Sequence, residues 1–129
     1  MIVLDASALL AYVYGEPGAE TVEAALSAAV IHAVNFAEVL SRLAERGSSP
    51  EDSLGVLEAA GVMKLLTVDV GTVEDSLNAA RLRPLTKSAG LSLGDRYCLA
   101  LAQRLGVPAL TADRQWAVLN IGIAVQVIR

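Results

Sequence analysis

The sequence predicts an α/β protein, a three-layer α/β/α sandwich whose central, mostly parallel sheet has four to five strands. Short apolar runs alternate along the chain with longer segments of helical periodicity, a pattern typical of βαβ units. The chain is 54% hydrophobic but only 4% aromatic, which favours many small helices over a β-sandwich. Its 129 residues match the usual size of one domain, so we expect a single domain spanning residues 1–129.

The predicted elements follow from apolar runs and from the capping or breaker residues that separate them. The expected strands are Ile2–Leu4, Val30–Val34, Lys64–Val68, Ala109–Thr111 and Ala124–Ile128, the last at a sheet edge. The expected helices are Ser7–Gly15, Ala19–Ala29, Asn35–Arg46, Pro50–Gly61, a segment capped by Asp69 that ends before Pro84, and Ser92–Leu105. Residues 84–93 are predicted to form a loop, because they are rich in small and polar side chains.

Composition and charge exclude several functions. A formal net charge of −4 provides no global field that attracts nucleic acid, which argues against a passive nucleic-acid coat. The single cysteine excludes a disulfide framework and a cysteine-based zinc site, and we expect Cys98 to be a buried core residue. No apolar run approaches the ~18 residues that cross a membrane. Since the N-terminus lacks the basic segment of a signal peptide, we expect a cytoplasmic protein.

Four acidic residues follow predicted strands or open the helices behind them. Asp5 comes directly after the first strand, and Asp113 follows the fourth. Glu38 and Asp95 lie in the first turns of two predicted helices. Ligands of parallel sheets bind at the carboxyl ends of the strands. The sequence therefore predicts that four carboxylates converge at one edge of the sheet.

Each acid also has a purely structural interpretation, because acids favour helix N-termini and their caps. The candidates for capping are Asp5, Asp113 and the pairs Asn35/Glu38 and Ser92/Asp95, which have capping-box spacing. Asp95 nevertheless falls on the flank of its helix, where an ionised carboxylate is costly unless a cation compensates it. Arg96 and Arg104 lie elsewhere on the helical wheel, so the sequence offers no obvious compensating cation.

A divalent metal ion would resolve the repulsion between converging carboxylates. Mg²⁺ and Mn²⁺ prefer carboxylate oxygens and water, whereas zinc is disfavoured in a chain with one histidine and one cysteine. We expect that histidine, His32, to be a core or edge residue rather than a ligand. Because the chain has no phosphate-binding G-x-x-x-x-G-K-[ST] loop, a carboxylate-held ion indicates hydrolysis of a phosphodiester.

Four segments taken together resemble the PIN domain family, and their order, spacing and length are most similar to the VapC-type toxins of bacterial toxin–antitoxin pairs. The segments are Ile2–Leu9, Asn35–Val39, Leu91–Ala100 and Leu110–Asp113. The resemblance covers essentially the whole chain. It implies a PIN-like fold and an endoribonuclease that depends on Mg²⁺ or Mn²⁺. By this resemblance the metal-binding quartet is Asp5, Glu38, Asp95 and Asp113, with Ser7, Asn35 and Thr111 as supporting polar residues.

The resemblance also implies a homodimer, a cognate VapB-type antitoxin, and tRNA or rRNA as the substrate. Hydrolysis by water would leave 5′-phosphate and 3′-hydroxyl ends on the RNA. From their positions near the acids, we expect phosphate contacts from Arg96, Arg114 and Lys87, with Arg81 and Arg83 as further candidates. Two alternatives remain open: a housekeeping PIN ribonuclease, and a metal-free module that binds without cutting.

Overall fold

The computed structural model describes all 129 residues and contains a five-stranded parallel sheet between two layers of helices. The strands are β1 (Ile2–Leu4), β2 (Ala29–His32), β3 (Thr67–Asp69), β4 (Ala109–Thr111) and β5 (Val125–Val127). Their spatial order is β3-β2-β1-β4-β5, so β1 lies at the centre and pairs in parallel with both β2 and β4. The predicted α/β/α sandwich is confirmed.

Seven helices connect or flank the strands. They are α1 (Ala6–Tyr14), α2 (Ala19–Ala25), α3 (Ala33–Glu45), α4 (Pro50–Ala59), α5 (Val62–Leu65), α6 (Val73–Thr86) and α7 (Leu93–Leu105). Short 3₁₀ turns occupy Leu26–Ala28, Lys87–Ala89 and Arg114–Val118. None of the helices combines the length and the apolarity that crossing a membrane would require.

The core is divided by the sheet, because successive side chains of a strand point to opposite faces. Leu4, Ile31 and Leu110 pack on one face, against side chains of α1 and α2 and residues of α3 to α5. Val3 and its neighbours on the adjacent strands pack on the other face, with buried side chains of α6 and α7. Cys98 belongs to this second cluster and is fully buried, which confirms the expectation of a core residue.

Two predicted boundaries near β3 were wrong. The expected strand Lys64–Val68 begins later, because Gly61 adopts a left-handed conformation and the short helix α5 follows it before β3 pairs with β2. The next helix is capped not by Asp69 but by Thr72, which forms a capping box with Asp75.

The end of α6 also differs from the prediction. The helix continues through Pro84 to Thr86, so much of the predicted loop is helical. Proline inside a helix costs one backbone hydrogen bond and favours termination. Here Leu82 and Thr86 are buried, and the Thr86 hydroxyl donates to the carbonyl of Leu82 at 2.8 Å. The helix thus continues past the proline to a residue that is itself buried and bonded to the preceding turn.

The boundary between β2 and α3 lies earlier than predicted. His32 ends the strand and caps the helix, since its Nδ1 accepts a hydrogen bond from Val34 N at 3.1 Å. Asn35 is therefore not a cap and lies within the first turn of α3. His32 is buried at the end of β2, in agreement with the expectation of a core or edge residue.

Candidate active site

An open cleft of about 610 Å³ lies at the carboxyl edge of the sheet. It receives side chains from the ends of β1 and β4 and from the helices α3 and α7. The four predicted acids all line it: Asp5, Glu38, Asp95 and Asp113. The tertiary structure therefore brings together carboxylates that lie up to 108 residues apart in the chain.

Asp5 is the most constrained of these acids, with a relative exposure of only 3%. Its Oδ1 accepts the backbone N–H of Ala8 at 2.8 Å, which caps α1. The Thr111 hydroxyl donates to Oδ2 at 2.6 Å, and the Ser7 hydroxyl lies at 2.7 and 2.9 Å from the two oxygens. The same hydroxyls accept the backbone N–H groups of Asp113 and Ala112. Ser7 and Thr111 therefore join the ends of β1 and β4 around one carboxylate.

Asp95 and Asp113 are helix-capping residues whose caps use only one carboxylate oxygen. Oδ2 of Asp95 accepts the N–H of Ser92 at 2.8 Å, in the predicted capping box. Oδ1 of Asp113 accepts the N–H of Gln115 at 2.9 Å. The second oxygen of each carboxylate has no hydrogen bond within the protein. The capping interpretation and a functional role are thus compatible, since the caps orient the carboxylates and leave one oxygen free.

Glu38 reaches the site because α3 and α7 approach closely at their N-terminal ends. Asn35 is fully buried and donates from Nδ2 to the carbonyl of Gly94 at 2.9 Å. A methyl group at Gly94 would overlap Oε1 of Glu38. The absence of a side chain at Gly94 therefore allows the Glu38 carboxylate to lie against the first turn of α7.

The cleft disfavours ionised carboxylates in the metal-free protein. Burial raises the pKa of Asp5 to about 6, despite the hydrogen bonds from Thr111, Ala8 and Ser7 that favour its charged form. Burial, together with the charge of Asp95, raises the pKa of Glu38, and burial also raises the pKa of Asp95. Several kcal/mol can separate an isolated buried charge from one that has a partner. The positive charge near these carboxylates is therefore not enough to offset their burial.

None of the basic residues predicted to contact RNA lines the cleft that holds the four acids. Arg96 is buried, and its Nη1 donates to the carbonyl of Ala79 on α6 at 2.8 Å, so it joins two helices and does not reach the cleft. Arg114 is exposed beside Asp113 and donates to the carbonyl of Arg129. Lys87, Arg81 and Arg83 also lie outside the lining of the cleft.

Sequence reasoning missed Arg42, the single basic residue among those that line the cleft. Its charge lowers the pKa of Glu38, although burial keeps that pKa raised overall. The signal was present in the sequence, because Arg42 lies four residues after Glu38 and therefore on the same face of a helix.

The donors of the cleft fit a hydrated divalent ion of the Mg²⁺ or Mn²⁺ type. All are oxygens, which these ions prefer, and no nitrogen or sulfur ligand accompanies them. No three of the acids are grouped closely enough to enclose an ion by themselves. Mg²⁺ does not need such a cage, since it commonly keeps several waters and binds one or two carboxylates. The uncompensated buried charge of Asp5 is what such an ion would neutralise.

Comparison with known families agrees with the geometry of fold and cleft. The family model of the PIN domain matches residues 2–121. The chain therefore belongs to the PIN domain family. No curated protein sequence matches the chain significantly.

Solved structures with the same fold include a toxin–antitoxin complex and several structures named VapBC. A toxin–antitoxin complex from Klebsiella pneumoniae aligns with a TM-score of 0.74 and 16% identity, over 100% of this chain and 98% of that one. DNA-bound VapBC from Salmonella typhimurium aligns with a TM-score of 0.72 and 20% identity, over 99% and 98%. VapBC-1 from nontypeable Haemophilus influenzae aligns with a TM-score of 0.70 and 19% identity, over 99% of this chain and 98% of that one. At these identities the similarity establishes the fold.

Proposed function

We propose that this chain is a metal-dependent endoribonuclease, the toxin of a type II toxin–antitoxin pair, which hydrolyses structured RNA (tRNA or rRNA) and so inhibits translation. One observation carries this proposal: carboxylates from distant parts of the chain converge on an open cleft with no ion pair to compensate them. A ligand that fits such a cleft must include a cation. Membership in the PIN family, whose members are generally nucleases, supports phosphodiester hydrolysis.

The residues of the cleft divide into three roles. Asp5, Asp95 and Asp113 would hold Mg²⁺ or Mn²⁺, with the hydroxyls of Ser7 and Thr111 fixing the Asp5 carboxylate. When bound, the ion supplies charge neutralisation at the phosphate and favours deprotonation of water. The carboxylate of Glu38 then orients the attacking water and accepts its proton, or binds a second ion. Water attack leaves a 5′-phosphate and a 3′-hydroxyl.

Solved structures with the same fold support a proposal for the partners, since they include a toxin–antitoxin complex and VapBC structures bound to DNA. We infer that residues 1–129 form one nuclease domain whose cognate partner is a small VapB-type antitoxin. We also expect a homodimer, held in a larger complex with the antitoxin in the resting cell. Its site of action would be the cytoplasm, where translation occurs.

Cleavage of total bacterial RNA by the purified, antitoxin-free protein tests the proposal. We expect discrete fragments in Mg²⁺ or Mn²⁺, none in EDTA, and sequenced ends that carry 5′-phosphates. Asp5→Asn and Asp95→Asn should each reduce the cleavage rate by on the order of 10³, because several kcal/mol of transition-state stabilisation depend on the ion.

Glu74→Gln is the matched control, since Glu74 is an exposed acid in the first turn of α6 that does not line the cleft. It should cleave like the wild type. Cleavage that persists in EDTA, or products with 2′,3′-cyclic phosphates, would contradict the mechanism. Absence of both cleavage and calorimetric binding of Mg²⁺ or Mn²⁺ would replace it with the non-cutting module.

A further inference from the structure

The basic residues of this chain are mostly engaged with other protein groups. Arg104 pairs with Asp69 and Asp75, and Arg129 with Glu16. Other arginines contact the Tyr14 ring, a side-chain amide or a backbone carbonyl: Arg46, Arg81, Arg96 and Arg114. Little positive charge is left for a polyanionic ligand, on a chain whose net charge is already −4.

Arg42 differs from these residues in both position and partners. It lines the acidic cleft on the same face of α3 as Glu38, and it takes part in none of the ion pairs of the structure. Its neighbour Ser41 also lines the cleft, but the Ser41 hydroxyl already donates to the carbonyl of Ala37 at 2.7 Å. Arg42 therefore offers the cleft an exposed guanidinium with no ion-pair partner.

Arg42 lies in the last turn of α3, where a positive charge interacts favourably with the helix dipole. That interaction is available on every face of the helix, so it does not explain why Arg42 lies on the face that lines the cleft. A guanidinium one helical turn from a carboxylate lies within about 5–6 Å of it at the level of the Cβ atoms. A guanidinium that lies beside the acids but forms no ion pair with them can bind an anionic ligand. Such a ligand would occupy the cleft together with the metal ion. A phosphodiester has this chemistry, and the arginine fork binds phosphate oxygens in a bidentate manner.

We propose that Arg42 binds a phosphate of the RNA at the cleft and is the principal basic contact of this site. The inference rests on the proposed ribonuclease function and adds a substrate-binding residue to it. Arg42 takes the role that the sequence suggested for Arg96, whose side chain is buried against α6. It binds substrate and transfers no proton.

RNA binding in a Glu38→Gln background tests this proposal without cleavage, using fluorescein-labelled bulk bacterial tRNA in Mg²⁺. Removing the Glu38 carboxylate also removes any role of Arg42 in positioning it, so a remaining effect reports the contact with RNA. Arg42→Ala should weaken binding about tenfold, as expected for a lost charge-assisted hydrogen bond. The slope of log affinity against log salt should fall by roughly 0.7–0.9. Arg42→Lys should recover part of the loss.

Lys64→Ala is the control, because Lys64 is an exposed basic residue of α5 that precedes β3, lies outside the cleft and was not predicted to contact RNA. It also removes one positive charge and should leave binding unchanged. Equal losses in Arg42→Ala and Lys64→Ala, or no loss in either, would overturn the proposal. In the cleavage assay, with Glu38 present, Arg42→Ala should raise KM more than it lowers kcat.

The two proposals fail in different ways. If the wild type cleaves RNA but Arg42→Ala binds tRNA normally, the role of Arg42 is wrong and the nuclease stands. If no metal supports cleavage while Arg42→Ala still loses binding and Lys64→Ala does not, the RNA contact stands and the catalytic function is wrong.

Discussion

Two clusters of acidic residues lie at the same edge of the sheet, and they differ in how their charge is balanced. At the end of β3, Asp69 and Asp75 share Arg104, whose nitrogens lie 2.7 Å from one oxygen of each carboxylate. At the ends of β1 and β4, Asp5 has hydroxyl and backbone donors but no cation. We call the first set, with His32, the paired cluster, and the acids of the cleft the unpaired cluster.

The pKa values of the two clusters move in opposite directions for this reason. Burial alone would raise the pKa of Asp75, but hydrogen bonds from Arg104 and from the backbone of Thr72 outweigh it and hold that pKa below its ordinary value. The pKa of the equally buried Asp5 rises to about 6. Burial therefore does not explain the difference between Asp75 and Asp5, the acid proposed to bind metal, whereas the presence of an internal cation does.

The largest expected effect comes from removing the cation of the paired cluster. Arg104→Met leaves Asp75 fully buried without its ion-pair partner, which should reduce the free energy of unfolding by about 3 kcal/mol. Urea denaturation measures this loss. The double variant Arg104→Met/Asp75→Asn should recover part of it, because the uncompensated charge is then gone. Exposed ion pairs contribute up to about 1 kcal/mol to stability. A loss in Arg104→Met below this value would show that the ion pair of Asp75 does not stabilise the paired cluster, which contradicts the comparison.

Neutralising Asp5 in the unpaired cluster should change the free energy of unfolding in the opposite direction. In EDTA at neutral pH, Asp5→Asn should raise the free energy of unfolding by about 1–3 kcal/mol, since a pKa raised from 3.8 to about 6 makes ionised Asp5 unfavourable in the folded state. The folded wild type binds more protons than the unfolded chain between these two pKa values. The contribution of Asp5 to stability therefore improves as the pH falls through 6, and the advantage of Asp5→Asn should shrink towards pH 4.

Urea denaturation of both proteins across this pH range measures that difference. Added Mg²⁺ should stabilise the wild type more than Asp5→Asn, because an ion that binds only the folded state shifts the equilibrium by mass action. If Asp5→Asn is destabilised at every pH, the Asp5 charge is already compensated within the protein and the contrast between the clusters is wrong.

A smaller effect should follow from changing the position of Glu38 while keeping its charge. Gly94→Ala places a methyl group where Oε1 of Glu38 lies, so the flexible carboxylate must shift. We expect about a tenfold loss of RNA cleavage, as for other changes that reorient groups around a metal site, with stability changed by less than about 1 kcal/mol. Gly55→Ala is the control, because Gly55 lies in α4 with open space around it. Equal activity in the two variants would show that the position of Glu38 is unimportant.

Much of the fold could be predicted from the sequence, because alternating strands and helices encode the layers locally. The boundaries that failed depended on contacts made elsewhere. The α6 helix passes Pro84 and ends at Thr86, which is buried in the tertiary structure. The α3 helix begins at Ala33 because His32, rather than Asn35, supplies the cap. Neither outcome is visible in a window of local sequence.

The sequence by itself determined the parallel α/β order and the placement of the acids after strands or in first helical turns, since chain order brings the carboxyl ends of parallel strands to one edge. Only the tertiary structure decided which charges pair. Arg104 meets Asp75 across 29 residues, Arg96 is buried against α6, and Arg42 is left in the cleft. These outcomes depend on how the helices pack against one another, because a side chain finds its partner through the relative orientation of two elements and not through its own sequence neighbours.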